Sequence, residues 1–454
     1  MIIHPLVDCL KTLSRIIRMI LLFTLLIGCD QQHQKQESEK EIKKDTSKAL
    51  SLKKAAPKKN ALPKKEFVRI YNDNARFIAG MKSEEGSDFS KFEKNPDWKQ
   101  YAAWYNNTWA RLEKGQLKKI KSWSEQELVF NNSFPVSQQN NSNNESQSHT
   151  MFYPFSGADF LYATTLFPNA DQYVMIGLEP VGKVPDIRKI PVDFWENYFL
   201  ALRTAQDDIL TASFFKTKDM KVDFRIQELK GTLPILMIFL IRTGNKIITM
   251  EPVQINDSGK IVDSRFEKIA NHQFSQMNGI RITFEKDNEQ AAESANLKND
   301  GEKENVQKTL YYFSIDLSDN SLIKKPHFES FMNSFGEVIT FIKSASYLMH
   351  QNDFSMIRKS ILDHSSIVLQ DDSGIPLKHF VEKDPAIAEQ TWSELTFYGA
   401  YKEPIRLFKN FYQEDLKKNY ADTTKTKPLL FRIGYQTQPN KSNLMLAKKQ
   451  PSNN

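Results

Sequence analysis

Apolar and polar positions recur with two periods along this chain, and the change of period marks where elements start and stop. In "DWKQYAAWYNNTWARL", Trp98, Tyr101, Tyr105, Trp109 and Leu112 are spaced at steps of three and four. That spacing predicts an amphipathic helix whose aromatic stripe faces a core, the same stripe being also a geometry for stacking sugars. "PVDFWENYFLALRTAQDDILTASFF" predicts a second long helix, with Pro191 near its first turn. "LPILMIFLIRTGNKIITMEPV", residues 233–253, predicts a β-hairpin with a central first strand and Gly244-Asn245 at the turn. Helices and strands thus mix, and the expected fold is α/β or α+β, a mixed sheet with amphipathic helices.

Polar stretches divide this pattern. "VSQQNNSNNESQSH" (136–149) and the highly charged run 285–309 predict disordered insertions, and 438–454 predicts a disordered tail. They leave a first α/β half over 67–284 and a second over 310–437. The halves share an order of patterns. "QYVMIGL", "IRKIPVDFW" and "TASFF" in the first correspond to "LYYFSIDL", "LIKKPHFES" and "SASYL" in the second. A duplication of this kind predicts two similar halves with a ligand cleft between them.

The apolar run Met19–Gly28 is shorter than the roughly 20 residues a membrane-spanning helix needs. It follows Lys11, Arg15 and Arg18, the charge-then-apolar order of a secretory signal, here 1–28. Leu26-Ile27-Gly28-Cys29 resembles the lipobox of bacterial lipoproteins. The resemblance implies cleavage before Cys29, diacylglycerol on its sulfur and a fatty acyl group such as palmitate on the new amino terminus. Asp30 resembles the residue that retains some Gram-negative lipoproteins in the inner membrane, which favours that leaflet for an envelope-anchored protein. Cys9, the one other cysteine, falls inside the signal, so the body has no disulfide or thiolate chemistry. Further along, "FYPFSGADFLY", "IGLEPVG", "KSASYLMH", "LQDDSGIPL" and "RIGY" are similar to stretches of bacterial envelope lipoproteins of unassigned activity. That likeness implies a location and no reaction.

The formal charge of +7 changes meaning once it is placed. Residues 1–28 carry +2 and residues 29–66, with eleven lysines against six acidic side chains, carry +5. The body from 67 onward is therefore neutral, which argues against a nucleic-acid partner. Segment 29–66, "KKDTSKALSLKKAAPKKNALPKK" at its core, predicts a disordered basic tether that contacts the membrane through its anchor and anionic lipid or cell-wall polymer through its lysines.

Candidate chemistry is sparse. Gly177 and Gly182-Lys183 have phosphate-loop spacing, but Val184 stands where a magnesium-binding hydroxyl belongs and Pro185 opposes a following helix. Asp257-Ser258-Gly259 and Asp372-Ser373-Gly374 resemble the paired loops of aspartic proteases, yet their flanks differ and each has the form of a turn. Ser346 and His350 are one helical turn apart if "SASYLMH" is helical. No histidine stands in a metal-binding pair, so no metal or cofactor is expected. Segment 151–182 concentrates the rest, with Ser156 expected to cap a helix that starts near Asp159. Tyr153, Ser156, Asp159, Glu179, His350 and Asp372 form the candidate pocket, and no residue is assigned as catalytic.

The expected function is a lipid-anchored, non-enzymatic module that binds a small ligand or an envelope protein. The alternatives are an envelope hydrolase using acidic or serine residues of 151–182, and a scaffold component of an envelope assembly. The anchor is directly testable. Cys29→Ala should abolish incorporation of labelled palmitate and release the protein from the membrane fraction; retention of both would exclude lipidation at Cys29.

Overall fold

The computed structural model describes residues 64–129, 149–214, 231–264, 277–287, 306–381 and 392–449. The expected signal, Cys29, the tether to residue 63, and insertion residues 136–148 and 288–305 lie outside the described residues. No described helix is long and apolar enough to cross a membrane.

The helices used below are α1 (Lys64–Ile78), α2 (Pro96–Leu112), α3 (Lys118–Ser124), α4 (Phe160–Leu166), α5 (Trp195–Ala212) and α6 (Leu233–Arg242). Later in the chain come α7 (His327–Asn333), α8 (Ser355–His364) and α9 (Glu414–Ala421). The first strands are β1 (Thr150–Tyr153), β2 (Gln172–Gly177), β3 (Asn245–Ile255), β4 (Ile261–Asp263), β5 (Met277–Lys286) and β6 (Lys308–Ser314). They are followed by β7 (Val338–Ile342), β8 (Ser365–Gln370), β9 (Trp392–Gly399), β10 (Thr426–Lys427) and β11 (Asn443–Lys449). All eleven join one mixed sheet in the order β10-β9-β11-β8-β7-β1-β2-β6-β5-β3-β4.

Its centre, β8-β7-β1-β2-β6, is parallel throughout. Counted in chain order, these five strands lie 3-2-1-4-5 from the β6 side, so the direction of winding reverses between β1 and β7. The cores follow this reversal. Helices α1 to α6 pack on one face, where Met151, Tyr153, Tyr173, Met175, Ile339 and Phe341 point. Helices α7 to α9 pack on the other, against Phe152, Val174, Ile176, Val338 and Ile342. A parallel sheet needs cover on both faces, and the period-2 alternation of apolar side chains supplies it.

The aromatic stripe of α2 is core. Trp98, Tyr101, Tyr105, Trp109 and Leu112 are buried, and the Asn95 side chain caps the helix by accepting from Asp97 N and Trp98 N. The polar tips are satisfied inside: Trp98 Nε1 donates to the Phe77 carbonyl (3.0 Å) and Tyr105 Oη to Gln206 Oε1 (2.9 Å). An amphipathic ring is tolerated at depth when its one polar atom is paired.

Three expectations are corrected. The run expected to be the first strand of a hairpin is helix α6, with Leu233 through Ile241 all buried. A helix apolar all round has no polar face to reveal its period, and its ten-residue length and Pro234 in the first turn were the remaining signals. The expected duplicated halves are one sheet, and residues 62–454 form one compact unit. Residues 211–213 close helix α5 whereas "SASYL" follows strand β7, so this matched pair belongs to different elements, although "QYVMIGL" and "LYYFSIDL" both fall on strands, β2 and β6. Finally, the expected disordered tail contains β11, which lies antiparallel between β8 and β9 with Asn443–Ala447 buried.

A strand wedged between two others cannot be lost quietly. A chain ending at Ser442 should show no cooperative urea unfolding, while one ending at Lys449 should keep the full-length midpoint. Leu446→Ala should cost about 2–5 kcal/mol, as for other buried leucines. An unchanged midpoint in the Ser442 truncation would exclude this placement of β11.

Candidate functional site

Where winding reverses, the turns after β1 and β7 diverge toward opposite faces and leave a crevice at the carboxyl ends of the strands. Here that crevice is a cavity of about 290 Å³ bordered by residues that follow β1, β2, β6 and β7. Its apolar wall includes Phe155, Ile176, Ile315, Leu317, Leu348 and Phe354.

The turn after β1 is Pro154-Phe155-Ser156-Gly157-Ala158. Ser156 N donates to the Ile176 carbonyl (2.8 Å), which binds this turn to the end of β2. The Ser156 hydroxyl donates to carbonyl oxygens of Gly157 (3.1 Å) and Ile176 (3.2 Å). It does not cap α4. That role belongs to Asp159, whose Oδ1 accepts from Tyr162 N (3.2 Å), because the turn places the aspartate one residue before the helix.

The turn after β7 begins with Lys343, which is joined to Asp159 by an ion pair of 2.6 Å with both side chains only 2% exposed. Asp159 Oδ2 also accepts from Tyr153 Oη (2.9 Å). Lys343 Nζ donates to the Ser213 carbonyl and stands 3.8 Å from the centre of the Tyr162 ring. Burial pushes the Asp159 carboxyl up and the Lys343 ammonium down, and their mutual attraction opposes both shifts. The lysine has three donor directions and all three are engaged.

Backbone strain gathers here. Among the described residues, the non-glycine residues in the left-handed region are Phe155, Ser213, Ser344, Ser346 and Tyr347. All five line or adjoin this one cavity. Each costs on the order of 1–3 kcal/mol and persists only where surroundings over-determine it. Asp371 accepts from Ser344 N (2.9 Å), Ser373 Oγ accepts from Ala345 N (2.8 Å), and Tyr435 Oη donates to the Ser344 carbonyl (2.9 Å). Burial, and then the neighbouring Asp372 charge, push Asp371 up to about 7. Asp372 accepts from the Tyr347 hydroxyl and from Asn443 Nδ2 (3.0 Å), so the first residue of β11 supports the same turn.

Of the six pocket candidates, Tyr153, Ser156, Asp159 and Glu179 line the cavity together. His350 and Asp372 sit behind Tyr347, which is 5.1 Å from the imidazole between ring centres and bonded to the carboxylate. Burial lowers His350 to about 4, so its ring is neutral at ordinary pH. The expected Ser346–His350 helical pair is not formed. Ser346 and Tyr347 are left-handed, and the Ser346 hydroxyl pairs instead with Tyr435 Oη (2.7 Å). The two Asp-Ser-Gly triplets are separated by five intervening strands, roughly 29 Å at the usual spacing, too far to share a proton. Lys343 was missed by sequence reasoning because its partner is remote in the chain; its one signal is a lysine directly after the apolar run "VITFI".

A larger cavity of about 620 Å³, bordered by Arg242, Lys286, Lys308, Glu113 and Glu125, mixes both charge signs and contains no strained turn. The smaller one is bordered by three buried charged side chains, Asp159, Glu179 and Lys343. No cluster of three metal-ligating side chains occurs among the described residues. Compared with protein-family models, curated proteins and solved structures, the chain matches none.

The ion pair makes a measurable coupling. Lys343→Met leaves a buried carboxylate unpaired and should cost about 3–5 kcal/mol of unfolding free energy. Adding Asp159→Asn should recover a large part of that loss, giving a non-additive double-mutant cycle in urea. Strictly additive losses would show that the two side chains do not stabilise each other.

Proposed function

We propose that this protein is a membrane-tethered binding module that takes a small uncharged ligand into the cavity where the winding of the sheet reverses. One observation carries the reading. Every left-handed non-glycine residue among those described lines this cavity, as Phe155, Ser344 and Ser346 do, or is next in the chain to one that does, as Ser213 and Tyr347 are. Strain held at one place by convergent hydrogen bonds is characteristic of ligand clamps and active sites, and the cavity is apolar with few polar groups, as ligand pockets are.

Binding is favoured over hydrolysis by how the polar groups are spent. The Ser156 hydroxyl donates to carbonyl oxygens, and Asp159 and Lys343 satisfy each other. A serine nucleophile needs a base within hydrogen-bond reach, and its hydroxyl here is turned to main-chain acceptors instead. The lipobox-like tetrad and the lysine-rich tether support a place at the envelope surface, where a soluble ligand reaches the body while acyl chains hold the protein to the membrane.

The test is saturation-transfer NMR of a library of neutral aromatic fragments against the full-length protein in detergent. Leu348→Trp fills the cavity. Fragment signals in the wild type should vanish in this variant while its unfolding midpoint stays close to wild type. Absence of bound fragments, or equal signals in both proteins, would overturn the proposal.

A further inference from the structure

We propose that the ligand is an uncharged nucleoside, its ribose hydroxyls held by Glu179 and its base lying on the apolar wall. This rests on the binding reading above and adds the class of ligand. Glu179 stands two residues beyond the end of β2 and twenty-two beyond Gly157 in the turn after β1. In open parallel sheets, a ligand lying across the carboxyl ends at the reversal meets the end of the second strand with its ribose, and a carboxylate there accepts from the hydroxyls.

The geometry at this position is specific. Glu179 is 4% exposed and borders the cavity, yet among the described residues it forms no ion pair. A buried carboxylate facing an apolar space needs hydrogen-bond donors, and two adjacent hydroxyls provide a matched pair. Tyr312 Oη donates to the Glu179 carbonyl (2.9 Å), which fixes the main chain at this residue, and is also a hydrogen-bond neighbour of the Glu179 carboxylate. Gly177 allows the close approach. A Cβ there would stand 2.6 Å from Tyr312 Oη, 2.8 Å from Glu179 Oε2 and 3.2 Å from Gly157 Cα. The absent side chain therefore lets the carboxylate sit against the turn after β1.

Two further features point to a ligand with a flat ring. Leu178 is 53% exposed at this edge of the cavity, and Phe155 and Phe354 form an edge-to-face pair at 5.9 Å on its wall. The Ser344 hydroxyl on the same wall is buried with no hydrogen-bond partner among the described residues, a free donor and acceptor for a ring heteroatom.

The same chemistry disfavours phosphate. Phosphate-binding turns present free backbone N–H groups at a helix start, but here Asp159 occupies the start of α4 with its own carboxylate. Among the described residues, Lys343 is the one cation bordering the cavity, and it is already neutralised by Asp159. A phosphate would face Glu179 and Asp316 without compensation.

Isothermal titration calorimetry of the full-length protein in detergent tests this with adenosine, guanosine, cytidine and uridine, then with the 2′,3′-dideoxy and 5′-monophosphate forms of whichever binds tightest. The dideoxy form and the monophosphate should each bind about tenfold or more weakly than the parent nucleoside. Glu179→Gln should weaken the nucleoside by about tenfold and leave the dideoxy form unchanged. Leu178→Ser, at an exposed position that does not threaten folding, should weaken both forms alike. Equal binding of nucleoside and dideoxy form, or a monophosphate that binds tighter, would overturn the proposal. Binding of aromatic fragments without any nucleoside would overturn it while leaving the cavity reading intact; loss of both would remove the two together.

Discussion

The contact between Lys343 and Asp159 joins the turn after β1 to the turn after β7 at the one place in the parallel sheet where neighbouring connections leave in opposite directions. Without a bridge, that divergence opens the core to water. With it, each turn is held by a charge that has nowhere else to go. A buried pair of this kind is not a strong source of net stability, because desolvation of both ions offsets most of their attraction. Its effect is on specificity. Lys343 also binds the Ser213 carbonyl at the end of α5, and Asp159 also starts α4, so one contact sets two turns and two helix ends.

Around that bridge, the strained turn after β7 is braced from strands far away in the chain. Asp371 and Asp372 follow β8, Asn443 opens β11, and Tyr435 precedes it; all four bond to residues 344–347 or to a group that does. This explains the position of β11. Inserted between β8 and β9, it carries Asn443 to Asp372, which in turn receives the Tyr347 hydroxyl. The cost of the three left-handed residues of this turn, Ser344, Ser346 and Tyr347, is thus met by a network that only the assembled sheet can supply, and the cavity exists only in the fully folded chain.

The parts that were legible in the sequence share a reason, as do those that were not. The α2 stripe was legible because its other face is polar, so the period shows. Tyr153, Ser156, Asp159 and Glu179 were legible as a group because acidic and hydroxyl side chains stand out within an apolar stretch, and the β1-α4-β2 unit that unites them is local. Helix α6 was hidden because an element buried on every side has no polar phase. β11 was hidden because its four apolar residues, Leu444 to Ala447, lie among lysines, asparagines and glutamines. Lys343 was hidden for a different reason: its meaning depends on Asp159, 184 positions earlier, and only the parallel register of β1 with β7 brings the two together.

The selectivity proposed for the cavity follows from the same economy of charge. Asp159 cannot serve both as the carboxylate that neutralises Lys343 and as an open acidic contact, and its Oδ1 is taken by the start of α4. A turn that in phosphate-binding sheets remains open for an anion is here closed by its own side chain. Among the described residues, what is left facing the cavity is the carboxylates of Glu179 and Asp316, neither in an ion pair, the unpartnered Ser344 hydroxyl and an apolar wall. Such a surface rewards hydrogen-bond donors attached to a flat apolar body and penalises negative charge. In a protein whose neutral body is expected to stand beyond a basic tether, anionic surfaces would be met by the tether, and the ligand proposed for the cavity carries no charge of its own.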